Sequence, residues 1–418
     1  MPDTPAPSPW KRKLAIFLSS QTISLLGSTL VQYAITWHLT LTTKSGTIMT
    51  ASIICGFVPA LFLSPIAGVV ADRHDRKRII MIADSAIALV TLALAAIFAA
   101  GYQAIWLLLG AQALRSVGAA FHGPAVGAIF PQIVPEDKLM RANGLNQSIQ
   151  SLLMILSPLA AGALLGLTSL YYIFFIDVAT AVLAVGVLGL FLRIPPHERA
   201  SRKVESSYFE DLRLGFRYLR DHRYLARFFT FNGIFLFLVT PAAFLTPLQT
   251  TRSFGAEVWR LTSIEICFSS GMLAGGLLVA SWGGFRNRMR SIAVAVATMA
   301  LCTIGLGLVP YFWLYLAVMA IFGIAMALLN TPAATMLQEH VEPDYLGRVF
   351  SILVMLQTAV MPVGMLIYGP LADAIRIEGI LLGTGSAMLI AGLALLGDRK
   401  LMAAGEPASL TSQSSPSP

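Results

Sequence analysis

Charged residues are scarce in this sequence, because Asp, Glu, Lys and Arg together fill only 12% of its 418 positions, against roughly 25% in soluble domains. Cysteine is scarce too. Cys55, Cys267 and Cys302 each lie alone in an apolar stretch, which excludes a disulfide framework and a cysteine metal cluster. A G-x-x-x-x-G-K-[ST] phosphate loop and an H-E-x-x-H zinc motif are also missing. We therefore expect neither an enzyme nor an ATP-driven pump in this chain alone, and no metal or cofactor.

The sequence has many long apolar runs instead. Hydrophobic residues account for 56% of it, and a bilayer core of about 30 Å needs roughly 20 apolar residues per spanning helix. The apolar runs are long and rich in Leu, Ala and Gly, without the alternation of a barrel strand. The sequence predicts twelve membrane-spanning helices, over residues 14–40, 47–71, 79–100, 104–130, 144–167, 170–193, 225–248, 259–282, 290–309, 312–335, 348–372 and 379–396.

Basic residues are distributed very unevenly about these spans. Of the 29 Lys and Arg residues, only Lys44, Arg252, Arg260 and Arg376 lie in or near the connections on one side, and Arg115 lies deep within a span. Because basic residues stay on the cytoplasmic side, we expect both termini in the cytoplasm and a multi-pass protein of a bacterial cytoplasmic membrane. The net charge of +8 then reflects topology, and we expect no nucleic-acid partner.

Two stretches, one in each half of the chain, resemble each other. "PAVGAIFPQIVPEDKLMRANG" begins at Pro124 and "PAATMLQEHVEPDYLGRVFS" begins at Pro332, with Leu139 and Leu346 at matching places. Six helices return a chain to its starting side, so the two halves run parallel. The expected fold class is an all-α integral membrane protein with twelve transmembrane helices in two pseudo-symmetric six-helix halves.

The expected domains follow from this repeat. The halves are residues 1–193 and 224–396, and they are joined by a cytoplasmic linker, residues 194–223. Residues 397–418 form a polar tail that we expect to be disordered. Within the linker, Ser207 begins a predicted amphipathic helix at the membrane surface. Its apolar face carries Phe209, Leu212, Phe216 and Leu219, and its basic face carries Arg213, Arg217 and Arg220.

The stretch "GVVADRHDRKR", Gly68 to Arg78, concentrates charge between the second and third spans. Topology explains its basic residues but not its acids, because acidic residues contribute little to orientation. The stretch resembles the loop signature G-x-x-x-D-R-x-G-R-K/R of the major facilitator superfamily. The signature is matched at Gly68, Asp72, Arg73, Arg76 and Lys77, and Asp75 replaces the second Gly.

Other stretches are similar to the macrolide-efflux branch of drug exporters in that superfamily. They include "RSVGAAFHGPAVGAIFPQIVPEDKL", residues 115–139, and "PDYLGRVFS" in the second half. The resemblance implies the major facilitator fold and a proton-coupled antiporter that exports small amphipathic drugs, with macrolides as the main expected class, by alternating access. We expect the protein to be a monomer. The alternatives are an exporter of siderophores or other metabolites, an importer or facilitator, and a non-transporting membrane receptor.

The resemblance also gives the charged loop a role as a conformational latch. When the cavity opens outward, Asp72 would lie at the start of the eleventh span, near residues 347–351, where the unpaired N–H groups of a helix N-terminus stabilise a carboxylate. Alternatively, Asp72 is a solvated loop acid. Arg76 would be held in place by a nearby acid. The candidate acids are Asp75, Asp84 and Glu136.

Charges inside the spans are expected to carry the chemistry, because a charge within the bilayer costs several kcal/mol. Arg115, in "RSVGAA", occupies the place of the helix-4 arginine motif that the family associates with proton coupling. Asp177 and Glu265 lie at similar depth, one in each half, and desolvation favours protonation of a buried carboxyl. We expect these three residues to couple protons. Alternatively, Arg115 is a static partner of Gln112, Gln147 or a backbone carbonyl, and the acids serve packing.

The fifth span carries "SPLAAG", Ser157 to Gly162, which resembles the antiporter signature of drug exporters, with Ser157 in place of the usual Gly. Pro158 frees a backbone carbonyl, and small residues such as Gly162 permit close approach of a neighbouring helix. We expect this segment to lie at a helix interface that moves.

Overall fold

The computed structural model describes residues 9–192 and 208–406. Regular structure within these two ranges is helical, without strands. Every predicted span overlaps one long helix, which confirms the expected all-α class. Eleven of the helices in the described part of the chain are long and apolar enough to cross a membrane. The fourth, Ile105–Ile133, is as long as the others, but Gln112, Arg115 and His122 lower its mean hydropathy.

The helices of the first half are α1 (Pro9–Thr43), α2 (Gly46–Arg73), α3 (Arg76–Ala99), α4 (Ile105–Ile133), α5 (Leu139–Leu167) and α6 (Leu170–Phe191), with a short 3-10 turn at Glu136–Lys138. The second half contains α7 (Tyr208–Asp221), α8 (Arg223–Phe244), α9 (Thr246–Ser253), α10 (Val258–Trp282), α11 (Arg288–Leu308), α12 (Phe312–His340), α13 (Pro343–Ala374), α14 (Ile377–Gly397) and α15 (Arg399–Ala404).

Local sequence explains several of these boundaries. Asp75 caps α3, because its side chain accepts a hydrogen bond from the Arg78 amide, and Asn287 caps α11 in the same way. The predicted seventh span is divided into α8 and α9. Pro247 has no amide hydrogen and its ring crowds the carbonyl four residues earlier, which favours the break between α8 and α9.

The described chain separates into two compact units. One contains residues 9–42 and 51–192, and the other contains residues 43–50 and 208–406. In the first unit α3 packs against α4 and α6, and in the second unit α11 packs against α12 and α14. These helices hold equivalent places in the order of the two halves. The repeated packing pattern agrees with the predicted pseudo-symmetry.

Close helix contacts and aromatic rings fill the two cores. In the first unit, Phe17 of α1 meets Phe130 of α4 edge-on, with ring centroids 5.5 Å apart. In the second unit, Gly271 of α10 lies directly against the backbone of Ala320 in α12, where any larger side chain would clash. Small residues at such crossings let two helices approach closely.

The linker and the tail differ in part from their predictions. The amphipathic helix exists as α7, and Tyr218 stacks on Tyr345 of α13 with centroids 4.3 Å apart. Phe216, which the sequence placed on the apolar face, is exposed, and Ser207 lies outside the described residues. The expectation of disorder from residue 397 onward is wrong at its start, because Arg399–Ala404 form α15 and the Gly405 carbonyl accepts a hydrogen bond from the Arg288 amide.

Candidate functional site

Helix geometry places the buried charges of the first unit at two levels. Asp84 and Thr91 on α3 are seven residues apart, and so are Arg115 and His122 on α4. Residues seven apart share one helix face, at a separation of about 10 Å along the axis. Since the chain reverses direction between α3 and α4, Thr91 meets Arg115 at one level and Asp84 meets His122 at the other.

The first level is a buried ion pair between Arg115 and Asp177 of α6. Their side chains are only 8% and 1% exposed. Arg115 also donates to the Thr91 hydroxyl and to the Ser28 carbonyl of α1, the latter at 3.2 Å. Asp177 accepts further hydrogen bonds from Thr91 at 3.0 Å and Ser28 at 3.4 Å. Four helices are therefore joined at one charged contact.

The sequence predicted that Arg115 and Asp177 share a functional role but not that they contact each other, as the structure shows. The shared role stays a prediction. The sequence offered Gln112 as a static partner for Arg115, but Gln112 instead accepts a hydrogen bond from Ser52 of α2 at 2.7 Å. A buried ion pair is stabilising only when its remaining donors and acceptors are satisfied. Here the hydroxyls of Ser28 and Thr91 supply those hydrogen bonds.

The second level contains Asp84, His122 and Ser24. The Ser24 hydroxyl donates to Asp84 Oδ1 at 3.0 Å, and His122 Nε2 lies 3.3 Å from the same oxygen, outside the alignment of a hydrogen bond. The prediction that Asp84 partners the charged loop is wrong. Asp84 lies more than two turns along α3 from Arg76, about 12 Å at 1.5 Å per residue, and it faces into the helix packing.

The charged loop is shorter than the sequence suggested, because α2 continues to Arg73 and α3 begins at Arg76. Arg76 donates to the carbonyls of Ala71 at 3.3 Å and Ala128 at 2.7 Å. Lys77 donates to the carbonyls of Gly189 and Leu192, at 3.0 and 2.7 Å, and so ties α3 to the end of α6. These basic side chains therefore hold helix ends together.

The remaining latch residues lie around that turn. Gly68 has open space where a side chain would project, and Arg73 and Glu136 are exposed. The Asp72 side chain lies outside the described residues. Asp75, one of the acids expected beside Arg76, caps α3 and lies 3.6 Å from Arg78. The latch stays a prediction.

The antiporter-like segment of α5 is buried and lies next to the ion pair along α1. Ser157, Pro158 and Gly162 are all buried, and α5 runs through Pro158 without a break in its assignment. The Ser157 hydroxyl lies 2.7 Å from the hydroxyl of Thr29, the residue after Ser28. The segment is thus connected to the site through α1.

Glu265 of α10 belongs to the second unit. It is half-buried, and among the residues that the structure describes it has no ion-pair partner. Arg260, the nearest basic residue on its helix, pairs instead with Glu257 at 2.7 Å. That hydrogen bond holds the pKa of the Glu257 carboxyl below its usual range.

The sequence analysis missed a cluster around Asp373, at the end of α13. Its carboxylate accepts hydrogen bonds from the amides of Gly46 and Thr47, at 2.7 and 2.9 Å, and so caps the first turn of α2. Arg252 donates to it at 2.7 Å. His122 was also missed, although its seven-residue spacing from Arg115 was a usable signal.

Comparison with known proteins is consistent with this architecture. The chain matches the Major Facilitator Superfamily over residues 14–365. It is 31% identical to Macrolide efflux protein A of Streptococcus pyogenes over 382 residues, covering 91% of this chain and 94% of that protein. It is 32% identical to Macrolide efflux protein A of Enterococcus faecalis over 312 residues, covering 74% and 96%.

Among solved structures, a mutant of the nucleoside transporter NupG superposes with a TM-score of 0.70 at 16% identity, covering 93% of this chain and 99% of that chain. At that identity the likeness shows the fold alone. The family match and the long alignments with macrolide efflux proteins show the family as well as the fold. Together they establish that the chain belongs to the major facilitator superfamily of multi-pass membrane transporters.

Proposed function

We propose that this protein is a proton-coupled exporter of amphipathic drugs, with macrolide-type antibiotics as its main substrate class. The observation that carries the proposal is the ion pair of Arg115 and Asp177, buried among four helices in a chain that aligns with macrolide efflux proteins over 91% of its length. Burial of a charge in a membrane helix is costly and marks functional positions.

The ion pair is suited to act as a switch that a proton operates. A proton that adds to Asp177 neutralises the carboxylate and removes its attraction for Arg115. The guanidinium then keeps only its hydrogen bonds to Thr91 and the Ser28 carbonyl. Because α1, α3, α4 and α6 meet at this contact, protonation of Asp177 weakens the interaction that joins these helices. Binding of a proton and binding of a drug can then favour different conformations in turn, which drives alternating access.

Glu265 supplies a second acid with a different role. Its carboxylate is half-buried and has no ion-pair partner in the described part of the chain. A carboxylate in such surroundings attracts a cation strongly. We propose that Glu265 contacts the cationic group of charged substrates.

The proposed orientation places both termini in the cytoplasm of a bacterial cell, because the basic residues gather on that side. The Arg76 and Lys77 turn then faces the cytoplasm, and Lys44, Arg252 and Arg376 face outward. A monomer is sufficient for the proposed cycle, and the cycle uses no cofactor.

Inverted membrane vesicles test the proposal directly. A pH gradient that is acidic inside should make wild-type vesicles accumulate a radiolabelled macrolide, and a protonophore should release it. Asp177→Asn should abolish accumulation, whereas Arg260→Gln, a matched loss of one ion pair in the second unit, should retain it. Accumulation that survives collapse of the proton gradient would overturn proton coupling.

A further inference from the structure

The second level of the buried cluster has a connection to the first through α1. Gln21, Ser24 and Ser28 follow one another at spacings of three and four residues, so they share one face of that helix. Ser28 contacts Asp177, and Ser24 contacts Asp84 at 3.0 Å. A stripe of polar side chains therefore runs along α1 past both acids.

Two buried side chains, Gln21 on this stripe and Asp84 beside it, have unused hydrogen-bonding capacity. Asp84 is only 4% exposed, yet its Oδ2 atom has no hydrogen-bond partner among the described residues, and the same is true of both amide atoms of the buried Gln21. Buried polar atoms of this kind usually bind water. In the proposed orientation, Gln21 and Asp84 lie on the cytoplasmic side of Asp177.

The net charge of the cluster determines how it binds protons. Four ionisable groups face one another across the packed helices: Asp84 on α3, Arg115 and His122 on α4, and Asp177 on α6. On α1, the described side chains that are hydrogen-bonded to these groups are the uncharged Ser24 and Ser28, and Ser52 of α2, also uncharged, is bonded to the neighbouring Gln112. With both acids ionised and His122 neutral, the cluster carries one net negative charge.

One added proton therefore makes the cluster neutral, and a second makes it positive. A net negative charge and a net positive charge are both unfavourable in a poorly solvated interior. A proton on Asp177 consequently disfavours a proton on the Asp84 and His122 pair, and the reverse also holds. Interacting sites of this kind titrate together rather than independently.

We propose that Asp84 and His122 form a second proton-binding site, which shares a single transported proton with Asp177. This inference rests on the proposed proton-coupled function. In the transfer step, the proton leaves a carboxyl oxygen of Asp177, whose carboxylate pairs again with Arg115. The proton then adds to an imidazole nitrogen of His122, which becomes a cation beside the Asp84 carboxylate. No electron is transferred, and the pair later releases the proton toward the cytoplasm.

A spectroscopic titration tests the shared proton without any transport measurement. The purified protein is labelled at its histidine rings, and His122→Gln identifies the His122 signal among the six histidines by removing it. Asp177→Asn deletes a facing negative charge, so the midpoint of the His122 signal should move to lower pH, by about one unit for charges about 10 Å apart. Arg115→Gln deletes a facing positive charge, so the midpoint should move to higher pH.

Opposite shifts in these two variants support the shared proton. Equal midpoints in all three proteins, or shifts of the same sign, would overturn it, because a general disturbance of packing has no reason to follow the sign of the deleted charge. Ser52→Ala is the matched control. It removes a buried hydrogen bond to α4 without changing charge, and it should leave the midpoint in place.

Transport provides the second test and separates this inference from the proposed function. In proteoliposomes with an imposed pH gradient, His122→Gln should retain macrolide binding but lower gradient-driven transport by about tenfold or more and flatten its pH profile. If wild-type protein responds to the gradient and His122→Gln responds identically, the second site is wrong and proton coupling stands. If wild-type transport ignores the gradient, both the proposed function and the shared proton fail.

Discussion

The two units share their helix packing but differ in what they bury. Asp84, Arg115 and Asp177 are the fully buried charged residues of the described chain, and all three belong to the first unit. The equivalent helices α11, α12 and α14 bury neutral groups such as Ser291, Thr303 and Thr384. The two units therefore share a packing pattern, while the buried charged residues of the described chain belong to one of them.

The second unit also has buried polar contacts, and those that join α9, α11 and α12 are neutral. The Tyr315 hydroxyl of α12 donates to the Gln249 side chain of α9 at 2.9 Å, and Gln249 donates to the Leu306 carbonyl of α11 at 2.8 Å. Such a network fixes helix positions without responding to protons near neutral pH. The comparison suggests a proton-responsive half and a half that serves mainly as framework and substrate contact.

Arg115→Ala should produce the largest effect. It leaves the Asp177 carboxylate buried without its ion-pair partner, a change that typically destabilises by about 3–5 kcal/mol, and we expect membrane insertion to persist while uphill macrolide export is lost. Drug accumulation in inverted vesicles measures this, alongside the amount of protein in the membrane. Continued pumping of drug against its gradient by the alanine variant would contradict the coupling role.

A matched pair of glycines tests the framework role of the second unit. Gly271→Ala forces a methyl group against the Ala320 backbone and should destabilise by about 1–3 kcal/mol, whereas Gly276, on the same helix, has open space around it. Thermal unfolding in detergent should show a lower midpoint for Gly271→Ala than for Gly276→Ala. Equal midpoints would show that α10 and α12 are not closely packed.

Glu265→Gln tests the contribution of the second unit to substrate contact. The substitution removes the charge and keeps the shape, so export of cationic substrates should fall by about tenfold, equivalent to about 1.4 kcal/mol, while neutral substrates change little. Efflux of a cationic and a neutral dye from the same cells compares the two. A similar loss for both would assign Glu265 to packing.

Ser157→Ala should have the smallest effect. It removes the hydrogen bond to Thr29 between α5 and α1, a contribution of about 0.5–1.5 kcal/mol. Ser148→Ala is its control, because the Ser148 hydroxyl donates within α5, to the Gly144 carbonyl. Unfolding midpoints of the two variants should differ by a few degrees at most, and a larger loss for Ser148→Ala would contradict the interhelical role of Ser157.

The sequence predicted the fold well because apolar runs of helix length are a local signal. It found Arg115 and Asp177 by the same reasoning, since charges inside such runs are conspicuous. It did not pair them, because their meeting depends on the register between α4 and α6. Asp84 was assigned to the wrong partner for the same reason, and Asp373 was missed because the amide of Thr47 that it caps is 326 residues away in sequence.

The capping of α2 by Asp373 has a consequence for how the protein is made. The first turn of α2 needs a carboxylate that the ribosome synthesises only after more than three hundred further residues. An N-terminal half expressed alone should therefore leave the Gly46 and Thr47 amides open to exchange with deuterium, and co-expression of the C-terminal half should protect them. Unless the two fragments are made together, the N-terminus of α2 remains uncapped.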